Sequence, residues 1–367
     1  MSSTVSKNGW PKVTGPNVKE YFVTLADALT ASPLLYPIAL DPVVDAVRLF
    51  RLTRREYEAA SFLDGRLLTP GAPTADVPWS EVRSAAAGLP VRCHFIFHIS
   101  HVGSTLLSRL VGRHPALFSL REPSILRFLA DVYATLGQPD CRWTESELGD
   151  RLGVYLSLWS RTFERDQTAV IKATSFVSEM ADQLLTCAPD ARAVFMYVAP
   201  EVFLRALLGG AMSDVESAAE RRLARLRRRL GDVPWGRDDL SPGESVAMSW
   251  LVEMTALRAA GDRFPERVLW IDFDRILAAP AEGLVAALRH FGAADADEAA
   301  RSILAGPTMH RYAKAPAQRF DAGHRAMLLE QAGQQHAGEI AKGLNWLDRA
   351  ATALGVEGLI GLSVEVG

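Results

Sequence analysis

The chain changes its hydrophobic period several times. Four short runs rich in β-branched and aromatic residues stand out: "VRCHFIFHI" from Val91, "TAVIKATSF" from Thr168, "ARAVFMYVAP" from Ala191 and "RVLWIDFDRI" from Arg267. Such runs predict buried strands, and the longer stretches between them, with apolar residues three and four apart, predict helices. The long stretch from Ser245 to Arg263 is one of these. Strands alternating with helices predict an α/β fold, with a central parallel sheet of four or five strands wrapped by helices. Ligands of such sheets bind beyond the carboxyl ends of the strands, so the residues directly after each run are the ones to examine.

Ahead of this region, "DPVVDAVRLFRLTRREYEAA" (Asp41 to Ala60) sets Val43, Val44, Val47, Leu49 and Phe50 on one helical face. The turn-rich "LLTPGAPTADVP" follows and reads as a loop. Together they predict a mainly helical N-terminal lobe over residues 1–90, before an α/β domain over 91–367. Later, "SDVESAAERRLARLRRRLG" carries six arginines between Arg221 and Arg229, with Leu223, Leu226 and Leu230 in a stripe. Two readings stand: a solvated helix with one packed edge, or a basic rim that attracts an acidic substrate. No fixed-period repeat or low-complexity tract occurs.

Composition narrows the class. The 367 residues are 49% hydrophobic and 23% charged, with net charge -3. These are the values of a globular chain, and they give no global argument for nucleic acid or a membrane surface. Cys93, Cys141 and Cys187 are odd in number and far apart, which fits a reducing compartment and no disulfide framework. "MSSTVSKNGWPKV" lacks an apolar signal core, and no apolar stretch reaches the roughly 18 residues that span a bilayer. The expected location is cytoplasmic.

The chemistry concentrates in "FHISHVGSTLLSRLVGRHP", Phe97 to Pro115. A strand leads through a small polar turn into an amphipathic helix, whose N-terminus presents unpaired N–H groups and the positive end of its dipole. Gly103 permits close approach of an anion, and Ser104 and Thr105 add hydroxyl donors. The competing reading is that Ser104 and Thr105 merely cap the helix. The pattern G-x-x-x-x-G-K-[ST] is not met, since His98 replaces its first glycine and Ser104 its lysine; this argues against a nucleoside triphosphate phosphotransferase.

"FIFHISHVGSTLLSRLVGRHPALFSLREP" resembles the 5′-phosphosulfate loop region of sulfotransferases. "AVFMYVAPEVFLRALL" resembles their 3′-phosphate-binding segment, and "VLWIDFDRILAAPAEGLVAALRHFGA" is similar to a later segment of the family. The resemblance spans about Val91 to Ala293, with a looser match onward to Leu347. It implies metal-independent transfer of a sulfuryl group from 3′-phosphoadenosine-5′-phosphosulfate (PAPS) to a hydroxyl or amine of a small-molecule or peptide acceptor; the near-neutral charge adds the expectation of neither nucleic acid nor membrane as partner. Ser100, His101, Val102, Gly103, Ser104 and Thr105 fall on the phosphosulfate loop. Glu122 of "LREP" falls on the glutamate that many members use as general base, although beside Arg121 it also reads as a plain ion pair. Lys172, just past a strand end, is the candidate cation for the transferred or departing charge, against a plain surface lysine. Ser175 is a further candidate hydroxyl.

Three departures qualify this. His101 stands where the family has Arg or Lys. Val198 and Ala206 replace the arginine and serine that hold the 3′-phosphate; Arg205 is the nearest substitute. The segment "MHRYAKAPAQRF" is only loosely like the donor-covering loop, with Arg311 and Lys314 as its candidate donor contacts and His310, Tyr312 and Arg319 beside them. The alternative is a fold that has kept its loop but serves as a nucleotide-, anion- or partner-binding protein, or one that takes a donor without a 3′-phosphate. A Ser–His nucleophile lacks G-x-S-x-G, and a metal pair at His98 and His101 lacks H-E-x-x-H; His98 reads as a packed, hydrogen-bonded histidine. The acceptor pocket is expected from the N-terminal lobe and from Trp143 to Trp159. Oligomeric state is not readable.

Overall fold

The structure, a computed structural model, describes residues 24–210, 212, 215, 218–310 and 322–360. A five-stranded parallel sheet forms its centre: β4 (Cys93–His98), β5 (Leu117–Arg121), β6 (Thr168–Lys172), β7 (Ala193–Tyr197) and β8 (Val268–Asp272), in the order β5-β6-β4-β7-β8. Phe95, Ile96 and Phe97 are fully buried, as a strand covered on both faces requires. From β4 the chain runs through α4 (Ser104–Val111) to β5 on one side, returns to β6, then crosses to β7 on the other. The strand order therefore reverses at the end of β4, which makes that end the place for a ligand crevice.

The flanking helices are α5 (Ser124–Tyr133), α6 (Glu145–Trp159), α7 (Ala181–Cys187), α8 (Pro200–Leu208), α9 (Ala219–Leu230), α10 (Pro242–Arg263), α11 (Phe273–Ala278), α12 (Pro280–His290), α13 (Ala296–Leu304), α14 (Ala322–Gln335) and α15 (Ala337–Leu354). The expected long helix is α10, opened by a capping box between Ser241 and Glu244. Among the described residues no helix is long and apolar enough to cross a membrane.

Four strands lie where the hydrophobic runs put them. The fifth, β5, is hidden by its polar residues: Ser119 and Arg121 are buried with the rest of it. The Ser119 hydroxyl pairs with that of Ser108 at 2.6 Å. The Arg121 guanidinium donates to the carbonyls of Ala60, Tyr57 and Glu58.

The N-terminal lobe departs from expectation. It contains the helices α1 (Leu25–Ala31), α2 (Arg54–Ala59) and α3 (Trp79–Ala85), but also an antiparallel sheet of β1 (Leu35–Asp41), β2 (Ala46–Arg51) and β3 (Thr74–Pro78). The stretch expected as one helix from Asp41 is a hairpin turn, strand β2 and then α2. Local chemistry explains the change. The Asp41 carboxylate accepts the N–H groups of Val43 and Val44, closing a turn, and Asp45 follows with φ +52°. Val47 and Leu49 alternate inward from β2 while Val43 and Val44 stand exposed at the tip. The lobe clasps the edge of β5: Leu63 N–H donates to the Arg121 carbonyl at 2.7 Å, and Ser124 N–H donates to the Leu63 carbonyl at 3.3 Å.

Candidate functional site

The turn after β4 is held in an unusual backbone path. Ser100 has φ +84° and His101 φ +53°, in the region where non-glycine residues cost about 1–3 kcal/mol each, and Gly103 follows at φ +66°. His98 anchors the path: its Nδ1 accepts the Ser100 N–H at 3.0 Å, leaving Nε2 to donate to the Ala173 carbonyl at 2.9 Å. These two bonds fix one neutral tautomer, so His98 is the structural histidine expected. Val102 is fully buried and pins the turn from below.

Gly103 is the N-cap residue of α4, and no side chain caps that helix. Ser104 and Thr105 instead form its first turn, so the capping reading fails. Thr105 is buried, and its hydroxyl has no hydrogen-bond partner among the described residues. A buried hydroxyl at a helix N-terminus, beside N–H groups without intrahelical partners, is a cradle suited to an oxyanion.

Glu122 and Lys172 are brought together at the ends of adjacent strands, where the Lys172 ammonium donates to the Glu122 carboxylate. The lysine is 1% exposed and the glutamate side chain 16%, which removes the reading of Lys172 as a surface residue. The alternation of a strand sends Arg121 to the opposite face, into the lobe's carbonyls, so Arg121 is not the partner of Glu122. Glu122 itself has φ +52°, turning the chain sharply out of β5 and into α5.

One cavity of about 1000 Å³ takes in these parts: His98, the loop from Ser100 to Thr105, Glu122, Lys172 and Ser175 line it. On the β7–β8 side it is bounded by Arg205, Ala206 and Arg325. Arg205 pairs with Glu201 one turn earlier, and its Nε has no hydrogen-bond partner among the described residues. Val198 is buried, its carbonyl accepting the Trp250 indole N–H at 3.0 Å. On the β5–β6 side stand Arg127, Phe176, Arg221 and Arg222. Glu122 is the one carboxylate in the lining among the described residues.

Sequence reasoning missed several of these. Arg127 lies one turn into α5, and Phe176 four residues past Lys172, but nothing in either segment signals that α9 folds back onto both. Arg325 donates to Asp274 at 2.8 Å and lies over the Phe273 ring. The N-terminal lobe lines the cavity with Phe62 and Arg66, whereas no residue from Trp143 to Trp159 does. There Trp79 and Trp143 enclose the Arg151 guanidinium in a core cluster instead. Arg311 and Lys314, with Tyr312 and Arg319, lie outside the described residues.

Neither a protein-family model nor a curated protein matches the sequence. Solved structures do. The chain is similar to the sulfotransferase domain from the curacin biosynthetic pathway, with 13% identity, a TM-score of 0.39, and coverage of 68% of this chain and 98% of that one. It is similar to sulfotransferase STF1 from Mycobacterium tuberculosis H37Rv at 14% identity and a TM-score of 0.39, covering 70% and 82% of the two chains. A sulfotransferase from Alicyclobacillus acidocaldarius matches at 18% identity and a TM-score of 0.37, covering 72% and 100%. The likeness concerns the fold alone.

Proposed function

We propose that this chain transfers a sulfuryl group from PAPS to a hydroxyl or amine of an acceptor. One observation carries the reading: a buried Thr105 hydroxyl, without a hydrogen-bond partner among the described residues and set in a helix N-terminal cradle, shares a cavity with the Glu122–Lys172 pair. The cradle fits a 5′-phosphosulfate, with backbone N–H groups and the hydroxyls of Ser104 and Thr105 as donors and His101 beside them. Arg205 fits the 3′-phosphate, since its Nε has no hydrogen-bond partner among the described residues and it would replace the cation lost at Val198. When bound, the donor supplies the sulfuryl group and departs as the bisphosphate.

The chain's own residues have three tasks. The Glu122 carboxylate accepts the proton that the attacking acceptor oxygen or nitrogen gives up. Lys172 Nζ, held against Glu122, places a positive charge where negative charge moves from the sulfuryl group to the departing phosphate. The loop fixes the phosphate by hydrogen bonds already set in place, which keeps the reacting groups in line.

The test is calorimetric binding of 3′-phosphoadenosine-5′-phosphate (PAP) beside adenosine 5′-phosphate. The reading expects preference for the bisphosphate, lost in Arg205→Ala. Equal affinity for both would point to a donor without the 3′-phosphate, and binding of neither would turn the search toward other anions or partner proteins.

A further inference from the structure

The β5–β6 side of the cavity is more cationic than a donor site at the loop and Arg205 requires. Four guanidinium groups surround one ring: Arg127 lies 3.9 Å from the Phe176 centroid, Arg222 4.8 Å, Arg221 5.2 Å and Arg225 5.3 Å. Their charges are balanced unequally. Arg225 is closed off by Glu179, Glu253 and the Ser178 hydroxyl, all buried. Arg127 and Arg221 share a single carboxylate, Asp131, at 3.4 and 3.5 Å. Arg222 is buried, makes no ion pair among the described residues, and its Nε has no hydrogen-bond partner there. Three guanidinium groups therefore converge on the cavity with one carboxylate between them.

The arrangement is built rather than incidental. Arg225 locks α9 to the turn that carries Phe176 and to α10, so the neighbouring Arg221 and Arg222 are held at the cavity before any ligand arrives. Burial, followed by the charges of Arg225, Arg127 and Arg221, pushes the Arg222 guanidinium down to about 10 despite the nearby Glu253. Such a cluster is relieved by an oxyanion, which a guanidinium fork binds in bidentate fashion. The strand order decides which reactant brings it. Glu122, which takes the acceptor's proton in the reading above, opens the turn into α5 and Arg127, while Arg205 and the donor's 3′-phosphate lie across the loop on the β7–β8 side.

We infer that the acceptor carries an oxyanion, a phosphate or carboxylate beside the hydroxyl or amine that reacts, and that Arg127, Arg221 and Arg222 around Phe176 bind it. The inference rests on the sulfuryl-transfer reading for the identity of the acceptor, but not for the existence of the anion site.

The experiment titrates the full chain, free and saturated with PAP, with glycerol 3-phosphate and with glycerate, and with glycerol as the uncharged control. Wild type is expected to bind one or both anions and not glycerol, and Arg127→Gln/Arg221→Gln to bind at least tenfold more weakly while its PAP affinity stays within about twofold. Arg222→Gln is a second reading of the same site, with thermal melting to confirm folding of each variant. Equal affinity in wild type and variants, or binding of neither anion by wild type, overturns the inference. So does loss of the preference for PAP over adenosine 5′-phosphate in the Arg127→Gln/Arg221→Gln protein, which would assign the cluster to the donor. If wild type binds no PAP, the transfer reading fails by itself, and the anion site still stands or falls on the titrations of the free chain.

Discussion

The ring of Phe273 occupies the space a side chain on Gly103 would need: a Cβ there would lie 1.9 Å from Phe273 Cε2. The end of β8 thus sets the shape of the loop after β4, two strands away. Gly103→Ala adds this collision to a left-handed backbone that costs an L-residue about 1–2 kcal/mol. The expected result is a lower melting temperature and at least tenfold weaker PAP binding. Phe273→Ala in the same chain should restore part of both, read by thermal melts and calorimetry.

Removing Glu122 has two effects that must be separated. Glu122→Gln is expected to abolish turnover, but it also removes the carboxylate that pairs with the buried Lys172 ammonium, a loss of about 3–5 kcal/mol for a broken buried pair. Glu122→Gln/Lys172→Met replaces the pair by uncharged groups of similar volume and should regain most of that stability. Turnover should stay absent. Recovery of turnover in the double variant would remove Glu122 from the proton-transfer role. Denaturant melts and a sulfuryl-transfer assay together read the outcome.

The arginine helix is anchored by the buried cluster around Arg225, in which Glu253 takes two of the hydrogen bonds. Glu253→Ala strips Arg225 of the carboxylate that holds both ends of its fork, and is expected to lower unfolding free energy by about 3–5 kcal/mol. Arg227→Ala, at an exposed position on the same helix, should change it by less than about 1 kcal/mol. Equal effects in urea melts would mean that α9 is held by its leucines rather than by Arg225.

Acid should weaken the fold through His94. Burial, then the charges of Arg192 and His290, holds its imidazole down at about 4, against an ordinary value near 6.5. Between these values the unfolded chain binds a proton that the folded chain refuses, so the contribution is full above about pH 6.5 and falls away as the pH drops toward 4. It amounts to up to about 3 kcal/mol. His94→Asn keeps an acceptor for the Arg192 N–H and should flatten the decline in stability between pH 6.5 and 4, measured by urea melts across that range.

What the sequence disclosed follows physical lines. β4, β6 and β7 are read from their apolar runs because both faces of the central strands are buried, and β8, half-buried at the edge, from its run of Val268, Leu269, Trp270 and Ile271. The loop and Lys172 are read because each sits at the end of a legible strand, whereas Glu122 is read only from the family resemblance of "LREP". β5 is obscured because Arg121 is solvated by carbonyls of a segment some 60 residues earlier rather than by water. The lobe's sheet is obscured because Val47, Leu49 and Phe50 satisfy a helical face as well as a strand until the Asp41 turn fixes their direction. The ring of arginines around Phe176 draws on α5, the turn after β6 and α9, and no local spacing records that convergence.

The clasp of Leu63 on the Arg121 carbonyl has a consequence for dividing the chain. A cut near residue 90 would remove Leu63 from the Arg121 carbonyl and bare the outer backbone edge of β5, a strand buried along its whole length. Such an edge recruits strands from other copies. Residues 91–367 alone would therefore tend to stack edge to edge and precipitate rather than fold as a smaller unit. Leu63 and the segment around it guard that end of the sheet.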